Sequence, residues 1–442
     1  MAALTIENFQ EAYPSELSLY SVPPSQTAIE KVYYQEVRST SQVNGSSPIE
    51  FIITGQNGME FLDLKRSKLY VKVKIMHPDG KTLDRTTMTV SPVNLLFYSM
   101  FSQVDVTMQG KLITSATNHY PYKAMMQTLL SYGTDAKTSQ LTSLMWEKDT
   151  PGHMDDCDVE NTSNAGLSRR AMYFSGSRSV DLEGPILADA FQLDRFLLNQ
   201  VAVGIKLFRS RSDFCLMSND TNPEYELVIE EIVLKACKIS VNPAIIYGHA
   251  EIMKTTNAKY PFTKTEVKLL TIPAGNLSFT YDNLFQGLRP NRCCIAFVKS
   301  LAASGSYQLN PFNFHHFNLT QIGLFVDGVP VGGNVMKLNF DASSGRSIIP
   351  AYNSMFEITN KWMRDADNQI DRVDYAGGYA IYCFQIEPSF GDDGSYLTLV
   401  KQGNVRLEAQ FATALDEATT CIVYAEYPGY FEINAARDIV LE

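Results

Sequence analysis

The chain has 442 residues, of which 45% are hydrophobic and 19% charged, a composition that excludes a disordered or collagen-like protein and allows sizeable cores. The net charge is −11 and no run of five Lys or Arg occurs, which disfavours a dedicated nucleic-acid-binding protein. The first ten residues lack the pattern of a signal peptide, and no stretch of about 18 apolar residues occurs, so we expect an intracellular chain without a membrane span.

Strand signals dominate the sequence. Apolar and polar residues alternate with the two-residue period of a half-buried strand in four segments. These are KLYVKVKI at 68–75, VDVTMQG at 104–110, VAVGIKLF at 201–208 and VRLEAQF at 405–411. More continuous apolar runs, YAIYCF from Tyr379 and CIVYAEY from Cys421, predict strands that are buried on both faces.

Two segments between the strands have the period of a helix instead. In the first, an apolar stripe follows Pro121 and ends before Gly133; it consists of Tyr122, Met125, Met126, Leu129 and Leu130. The second has a weaker stripe of Tyr352, Met355, Phe356 and Met363. Because such a stripe normally faces a core, both helices are predicted to cover a sandwich.

The sequence contains an internal repeat. SPVN at 91–94 precedes FSQVDVTMQG, and NPFN at 310–313 precedes LTQIGLFVDG, which aligns Gln103 with Gln321 and Gly110 with Gly328 at an offset of 218. A second pair, LLNQVAVGIKL and LVKQGNVRLEA, aligns Gln200 with Gln402 at an offset of 202. Two matches in the same order predict two copies of one all-β domain.

We divide the chain into three parts on this basis. Residues 1–48 are polar and predict an extended arm that packs on something else. Residues 49–245 and 246–442 are the two predicted copies, with the boundary inside VNPAIIYGHAEIMKTTNAKYP at 241–261.

Motifs for enzymatic chemistry are absent from the sequence. It has no G-x-x-x-x-G-K-[ST], no G-x-G-x-x-G, no H-E-x-x-H and no G-x-S-x-G. A carboxylate pair in GDDGS at Gly391–Ser395 is interpreted as a turn. We therefore expect no catalytic residues, no cofactor and no enzyme activity.

Two clusters are candidate metal ligands. His315 and His316 are adjacent, and on a strand adjacent side chains point to opposite faces, so a shared ion is not expected. The acidic run MDDCDVEN offers Asp156, Asp158 and Glu160 as calcium ligands, but Asn161 and Leu167 stand where a calcium loop needs Gly and Glu. A solvated loop is predicted there, and we assign no metal-binding residues.

The chain has seven cysteines, an odd and scattered set without a C-x-x-C motif. They are Cys157, Cys215, Cys237, Cys293, Cys294, Cys383 and Cys421. Most lie in apolar, strand-like runs, which predicts buried free thiols in a reducing compartment.

Several segments resemble the hexon-like double jelly-roll major capsid proteins of Polinton/Maverick elements, adintoviruses and related adenovirus-lineage DNA viruses. They lie between about residue 60 and about residue 430 and leave the N-terminal arm and the loop at 145–168 least matched. The segments are SPVNLLFYSMFSQVDVTMQGKLI, NHYPYKAMMQTLLSYGTDAKTSQLT, AKYPFTKTEVKLLTIPAGNLSFTYDNLFQG, NPFNFHHFNLTQIGLFVDG and VKQGNVRLEAQF.

The resemblance implies an all-β chain of two tandem eight-stranded jelly rolls with short helices in the loops. It further implies a homotrimer that forms pseudo-hexagonal capsomers of an icosahedral virion capsid around a DNA genome. Expected partners are further copies and minor capsid or penton proteins, without specific nucleic-acid contact. Two alternatives stay open, a two-domain jelly-roll glycan hydrolase and a tandem lectin-like binding protein.

Overall fold

The computed structural model describes residues 13–45, 47–55, 58–114, 119–388 and 397–441. The first half of the chain contains β1 Ile29–Arg38, β2 Ile49–Ile53, β3 Glu60–Met76, β4 Val90–Pro92, β5 Phe101–Met108, β6 Lys111–Leu112, β7 Val180–Pro185, β8 Val203–Arg209, β9 Leu216–Ser218 and β10 Glu226–Val241. The second half contains β11 Ala258–Ile272, β12 Ser278–Tyr281, β13 Arg292–Lys299, β14 Leu319–Val326, β15 Val329–Pro330, β16 Met336–Lys337, β17 Ile381–Gln385, β18 Val405–Phe411, β19 Thr419–Ile433 and β20 Ile439–Leu441.

In the described ranges a turn of 3-10 helix at Ser15–Leu17 precedes β1, and the α-helices all lie between strands. They are α1 Leu96–Ser99, α2 Tyr120–Ser131, α3 Thr134–Thr138, α4 Ala165–Phe174, α5 Ser212–Cys215, α6 Pro243–Ile252, α7 Ser300–Ser304, α8 Ile349–Ile358 and α9 Arg372–Ala376. Among these helices, none has the length and apolar character needed to cross a lipid bilayer.

Both halves have the same strand order. The first half forms the sheets β1-β10-β3-β7 and β2-β8-β5-β6, and the second forms β11-β19-β13-β17 and β12-β18-β14-β15. If the eight main strands of each half are numbered in chain order, both halves read 1-8-3-6 and 2-7-4-5. This is the pairing of a jelly roll, in which a long hairpin folds over to give two facing sheets. The predicted fold of two tandem jelly rolls is confirmed.

The repeat found in the sequence has a structural basis. The pairing register shifts between Phe101 and Gln103 in β5 and between Leu319 and Gln321 in β14, so each anchor glutamine follows an irregularity at the same place. Each strand then turns through a two-residue hairpin whose Gly has a positive φ, 77° at Gly110 and 84° at Gly328. Glycine suits such a turn because it lacks a Cβ atom.

The alternating segments form half-buried strands as predicted. In β18 the residues Val405, Leu407, Ala409 and Phe411 are buried, and Arg406, Glu408 and Gln410 between them are more exposed. The continuous apolar runs lie largely in β17 and β19, where Ile381 to Phe384 and Cys421 to Ala425 are all buried. These strands are covered on both faces, which explains why their sequences do not alternate.

One predicted helix is confirmed and the other needs a correction. All five stripe residues of the first lie buried in α2, which begins one residue before Pro121. In the second, Met355 is buried in α8, but Met363 lies five residues beyond the end of that helix and is 88% exposed. The prediction for Met363 is therefore wrong.

A strand lies inside the segment predicted to be an arm. β1 pairs with β10 in antiparallel register from Ile29 to Arg38 and is the first of the eight strands of the first jelly roll. Its edge position leaves Val32 and Tyr34 about half exposed, at 44% and 48%, so the sequence lacks a buried apolar face. We propose that the first jelly roll begins at β1; the boundary at 246 stays a prediction.

The positive φ of Gly328 gives a stability prediction. A Cβ atom added at Gly328 would meet no atom within 4 Å, so Gly328→Ala changes only the backbone preference and is expected to destabilise the chain by about 1 kcal/mol. Gly248 has equal space but lies inside α6, so Gly248→Ala is expected to stabilise the chain by about 0.5–1 kcal/mol. Urea unfolding of both variants measures the difference, and shifts of the same sign would contradict the assignment of the turn.

Candidate functional site at the junction of the two jelly rolls

A fully buried arginine organises the contact between the two halves. Arg170 lies on α4, whose N-terminus is capped by the side chain of Asn164. The Arg170 Nη2 atom lies 2.6 Å from Asp149 Oδ1. Its Nε and Nη1 donate to the carbonyl oxygens of Pro92 and Glu147 at 2.8 and 2.7 Å. All three nitrogens of the guanidinium group are thus hydrogen-bonded without water.

Asp149 connects this arginine to the second half. Its carboxylate accepts Asn164 Nδ2 at 3.0 Å on one oxygen and Asn310 Nδ2 at 3.2 Å on the other. The hydroxyl of Tyr379 donates to the carbonyl oxygen of Asp149 at 2.9 Å. Asp149 is 1% exposed, so both charges depend on these partners for the hydrogen bonds that water would otherwise supply.

Further contacts surround this pair. The backbone nitrogen of Asn310 donates to Asp155 Oδ1 at 3.0 Å, and Gly152 N donates to Gly377 O at 2.6 Å. Lys148 Nζ lies 2.5 Å from Asp374 Oδ2, which also forms part of the N-terminal cap of α9. Residues 148–155 of the loop between α3 and α4 therefore bind the second jelly roll.

A buried lysine lies beside these contacts. Lys137 is 1% exposed, and its Nζ donates to the carbonyl oxygens of Asn368 at 2.7 Å and Leu129 at 3.3 Å. It also lies 5.1 Å from the ring centroid of Trp146. Because Asn368 belongs to the second half, Lys137 is a further contact across the junction.

The two halves also meet at a second place. The carboxylate of Asp189 accepts Lys123 Nζ from α2 and, at 3.0 Å, the backbone nitrogen of Thr265 in β11. Arg437, near the C-terminus, donates to Asn199 O at 2.9 Å and to Asn199 Oδ1 at 2.7 Å. With contacts at two separate places, the two jelly rolls are fixed in both position and angle.

The two adjacent histidines lie near the junction and contact different partners. We predicted that both histidines lie on a strand, with side chains on opposite faces. They precede β14 and are not in a strand, so this prediction is wrong. His315 Nε2 is 3.4 Å from Asp155 Oδ2, whereas His316 stacks on Phe340 with ring centroids 4.2 Å apart. Burial lowers the pKa of His316 to about 4. Within the described residues, no three His, Cys, Asp or Glu side chains are close enough to share a metal ion.

The acidic run MDDCDVEN forms turns. Asp156 accepts the backbone nitrogens of Asp158 and Ser163 at 3.3 and 2.8 Å, and Glu160 accepts that of Met88 at 3.2 Å. Asp156 and Asp158 are partly buried, so the predicted solvated loop is only in part correct.

The cysteines agree with their prediction as free thiols. All seven are free; Cys157 is partly buried and the other six are buried. Burial raises the pKa of Cys215 to about 12, which keeps its thiol protonated and unreactive at neutral pH.

The described cavities offer little for glycan hydrolysis. Five of them have volumes from about 20 to about 460 Å³, and each is lined by at most one carboxylate, from Asp194, Glu426 or Asp189. A glycosidase of the usual kind needs two carboxylates flanking its substrate. The predicted turn at Gly391–Ser395 lies outside the described residues.

Sequence reasoning missed Arg170, Asp149 and Asn310. A usable signal was present in the repeat anchors, because SPVN supplies the Pro92 carbonyl to Arg170 and NPFN supplies Asn310 to Asp149. The two anchors thus meet at the same polar cluster from the two halves of the chain.

Comparisons with known proteins support the fold. No family model matches the sequence. A protein of Caenorhabditis elegans, described as uncharacterised, is 22% identical over 432 residues and covers 95% of this chain and 99% of its own length.

Solved structures similar to this chain come from viruses. The structure of the Sputnik virophage matches with a TM-score of 0.63 and 13% identity, over 98% of this chain and 93% of the other. The mavirus major capsid protein matches with a TM-score of 0.56 and 11% identity, over 98% and 95%. The Faustovirus major capsid protein matches with a TM-score of 0.55 and 10% identity, over 96% of this chain and 92% of the other. At these identities the comparison establishes the shared double jelly-roll fold.

The buried ion pair gives a second stability prediction. Arg170→Met leaves Asp149 buried without its cation and is expected to cost about 3–5 kcal/mol of unfolding free energy. Lys65→Met is the matched control, since its partner Asp194 is 81% exposed in the side chain, and it is expected to cost less than about 1 kcal/mol. Chemical denaturation measures both; equal costs would contradict the role given to Arg170.

The buried lysine predicts how stability changes with pH. Burial, with a smaller contribution from nearby Lys361, lowers the pKa of Lys137 from 10.5 to about 7. Between about pH 7 and the ordinary lysine value the unfolded chain then binds more protons than the folded chain, so this group makes the unfolding free energy rise with pH. Lys137→Met is expected to lack this rise, while Lys65→Met retains it. Parallel profiles for wild type and Lys137→Met, measured by denaturation from pH 6 to pH 10, would contradict the prediction.

Proposed function

We propose that this chain is a viral major capsid protein that forms homotrimeric, pseudo-hexagonal capsomers of an icosahedral shell around a DNA genome. The observation that carries the proposal is the repetition of one eight-strand topology within a single chain. Three such chains around a threefold axis present six similar jelly rolls, so neighbouring capsomers can repeat nearly equivalent contacts in a hexagonal lattice.

The buried polar cluster supports this proposal physically. A capsomer with six similar corners requires a constant angle between the two jelly rolls of each chain. Asp149 binds both Arg170 and Asn310, so a change of that angle would break hydrogen bonds of a buried charge. We therefore propose that the junction holds the two jelly rolls at a fixed angle and does not act as a flexible linker.

We further propose that the chain belongs to the capsid proteins of Polinton/Maverick elements, adintoviruses or related viruses. A relative of nearly equal length in a nematode supports an element that resides in animals. The proposed location is the virion capsid after intracellular synthesis, with further copies and minor capsid or penton proteins as partners. A net charge of −11 argues against specific binding to the enclosed nucleic acid.

The proposed role is structural rather than enzymatic. The glycan hydrolase and lectin alternatives each require a cleft with convergent polar groups. The described cavities at the junction are instead lined by paired or single charges, such as Glu426 with Arg292. No observation favours either alternative over assembly.

Exposed apolar side chains mark a candidate contact between copies. Trp362 and Met363, which follow α8, and Val373 of α9 are 48%, 88% and 69% exposed. On the first half, Met172 and Tyr173 of α4 are 53% and 49% exposed. Two different apolar surfaces are what a head-to-tail contact around a threefold axis requires.

Light scattering after size-exclusion chromatography tests this assembly. The wild-type chain is expected at three times 49.4 kDa, about 148 kDa, or as larger shells. Met363→Asp is expected to increase the monomer fraction because it places a charge in an apolar contact. Val329→Asp, at a site of 66% exposure in the β14–β15 hairpin, is the control and is expected to leave the trimer intact. A strictly monomeric wild-type chain at micromolar concentration would contradict the proposal.

A further inference from the structure

The described N-terminal segment, residues 13–22, exposes an unusual number of large apolar side chains. Tyr13, Leu17, Leu19, Tyr20 and Val22 have exposures between 54% and 100%. The segment leads into β1, where the backbone nitrogen of Asn242 donates to Ala28 O at 2.8 Å. Ten residues with five exposed apolar side chains form a surface that water solvates poorly, and such surfaces mark interaction sites.

An apolar cavity of about 460 Å³ lies at the other end of α6. We call it the α6 groove; its apolar lining consists of Phe61, Phe196, Leu198, Ile252, Met253 and Tyr260. Phe61 is buried, and the ring of His249 stacks on it with the ring centroids 5.8 Å apart. Ile252, at the mouth of the groove, is 60% exposed. The helix α6 itself has no buried residue, so the apolar surface continues along it.

The two surfaces are complementary in charge. Arg195 and Lys259 line the rim of the groove, and Arg195 Nη1 donates to Lys259 O at 2.6 Å. Asp194 at the rim is paired with Lys65 at 2.6 Å, and Lys259 Nζ lies 3.5 Å from Glu432 Oε1, so the positive charge of the rim comes mainly from Arg195. The segment 13–22 carries one charged residue, Glu16, and the chain has no Lys or Arg before Lys31. An acidic, apolar segment therefore suits a groove with a cationic rim.

The segment of the same chain does not occupy the groove. α6 spans about 15 Å between Asn242 and the groove, and the 16 residues from Tyr13 to Ala28 could extend over about 50 Å, so reach is not limiting. The apolar side chains nevertheless remain in water in the single chain. A second copy of the chain has both a segment and a groove. Each chain can therefore place its segment in the groove of a neighbour and accept another segment in its own groove.

We propose that the N-terminal segment of one copy binds in the α6 groove of a neighbouring copy. This inference rests on the proposed capsid function and names a specific contact within it. In this contact Tyr20, which is fully exposed, and Leu19 supply the apolar side chains. Glu16 supplies the negative charge for Arg195 at the rim.

Photo-crosslinking between isotopically distinct chains tests the contact. One chain carries p-benzoyl-phenylalanine in place of Tyr20, and an equal amount of ¹⁵N-labelled chain carries no crosslinker. After co-assembly and irradiation, mass spectrometry is expected to link position 20 to ¹⁵N peptides that contain Phe196, Ile252 or Tyr260. Crosslinks confined to the same chain, or none to these peptides, would overturn the inference.

A pair of matched variants checks the groove itself. Ile252→Glu places a carboxylate at its mouth and is expected to reduce the crosslink between chains about tenfold. Leu301→Glu, at a site that is also 60% exposed but lies on α7, is expected to leave it unchanged. An equal loss in both variants would overturn the inference.

Oligomer size and lipid binding are measured in the same samples. Trimers without the crosslink overturn only this inference, whereas a chain that stays monomeric overturns it together with the proposed function. Flotation of the wild-type chain with phosphatidylcholine vesicles, lost on deletion of residues 1–22, would assign the segment to a bilayer and would also overturn the inference.

Discussion

The buried ion pair of Arg170 and Asp149 is the constraint on which the arrangement of the molecule depends. Removing both charges from water is costly unless hydrogen bonds replace those of the solvent. The first half supplies the Pro92 and Glu147 carbonyls, and the second half supplies Asn310. Since neither half satisfies the pair alone, the two jelly rolls are expected to pack as one unit.

The repeated topology was predictable from the sequence because it follows from local patterns. The alternation of apolar and polar residues in β18 depends only on neighbouring residues. The same is true of the hairpin turns, which are marked by Gly110 and Gly328. The edge strand β1 was missed because its side chains face solvent, and Met363 was misassigned because helical spacing continues past the end of α8.

Apart from the signal in the repeat anchors, the junction could not be predicted, for a physical reason. Arg170 and Asp149 are 21 residues apart, and Asn310 follows 140 residues after Arg170, so their proximity depends on the packing of complete jelly rolls. Charged residues in sequence are most often solvated, and nothing in their local pattern marks these as buried. The same holds for the α6 groove, whose walls come from both halves of the chain.

These features combine into one account of a repeating building block, with a rigid angle inside the chain and apolar surfaces outside it. Electron microscopy of the purified, concentrated protein tests that account most directly. We predict particles with threefold symmetry whose outline has six similar lobes, each the size of one jelly roll, and shells or sheets in which these particles repeat. Class averages of isolated two-lobed molecules would contradict the account.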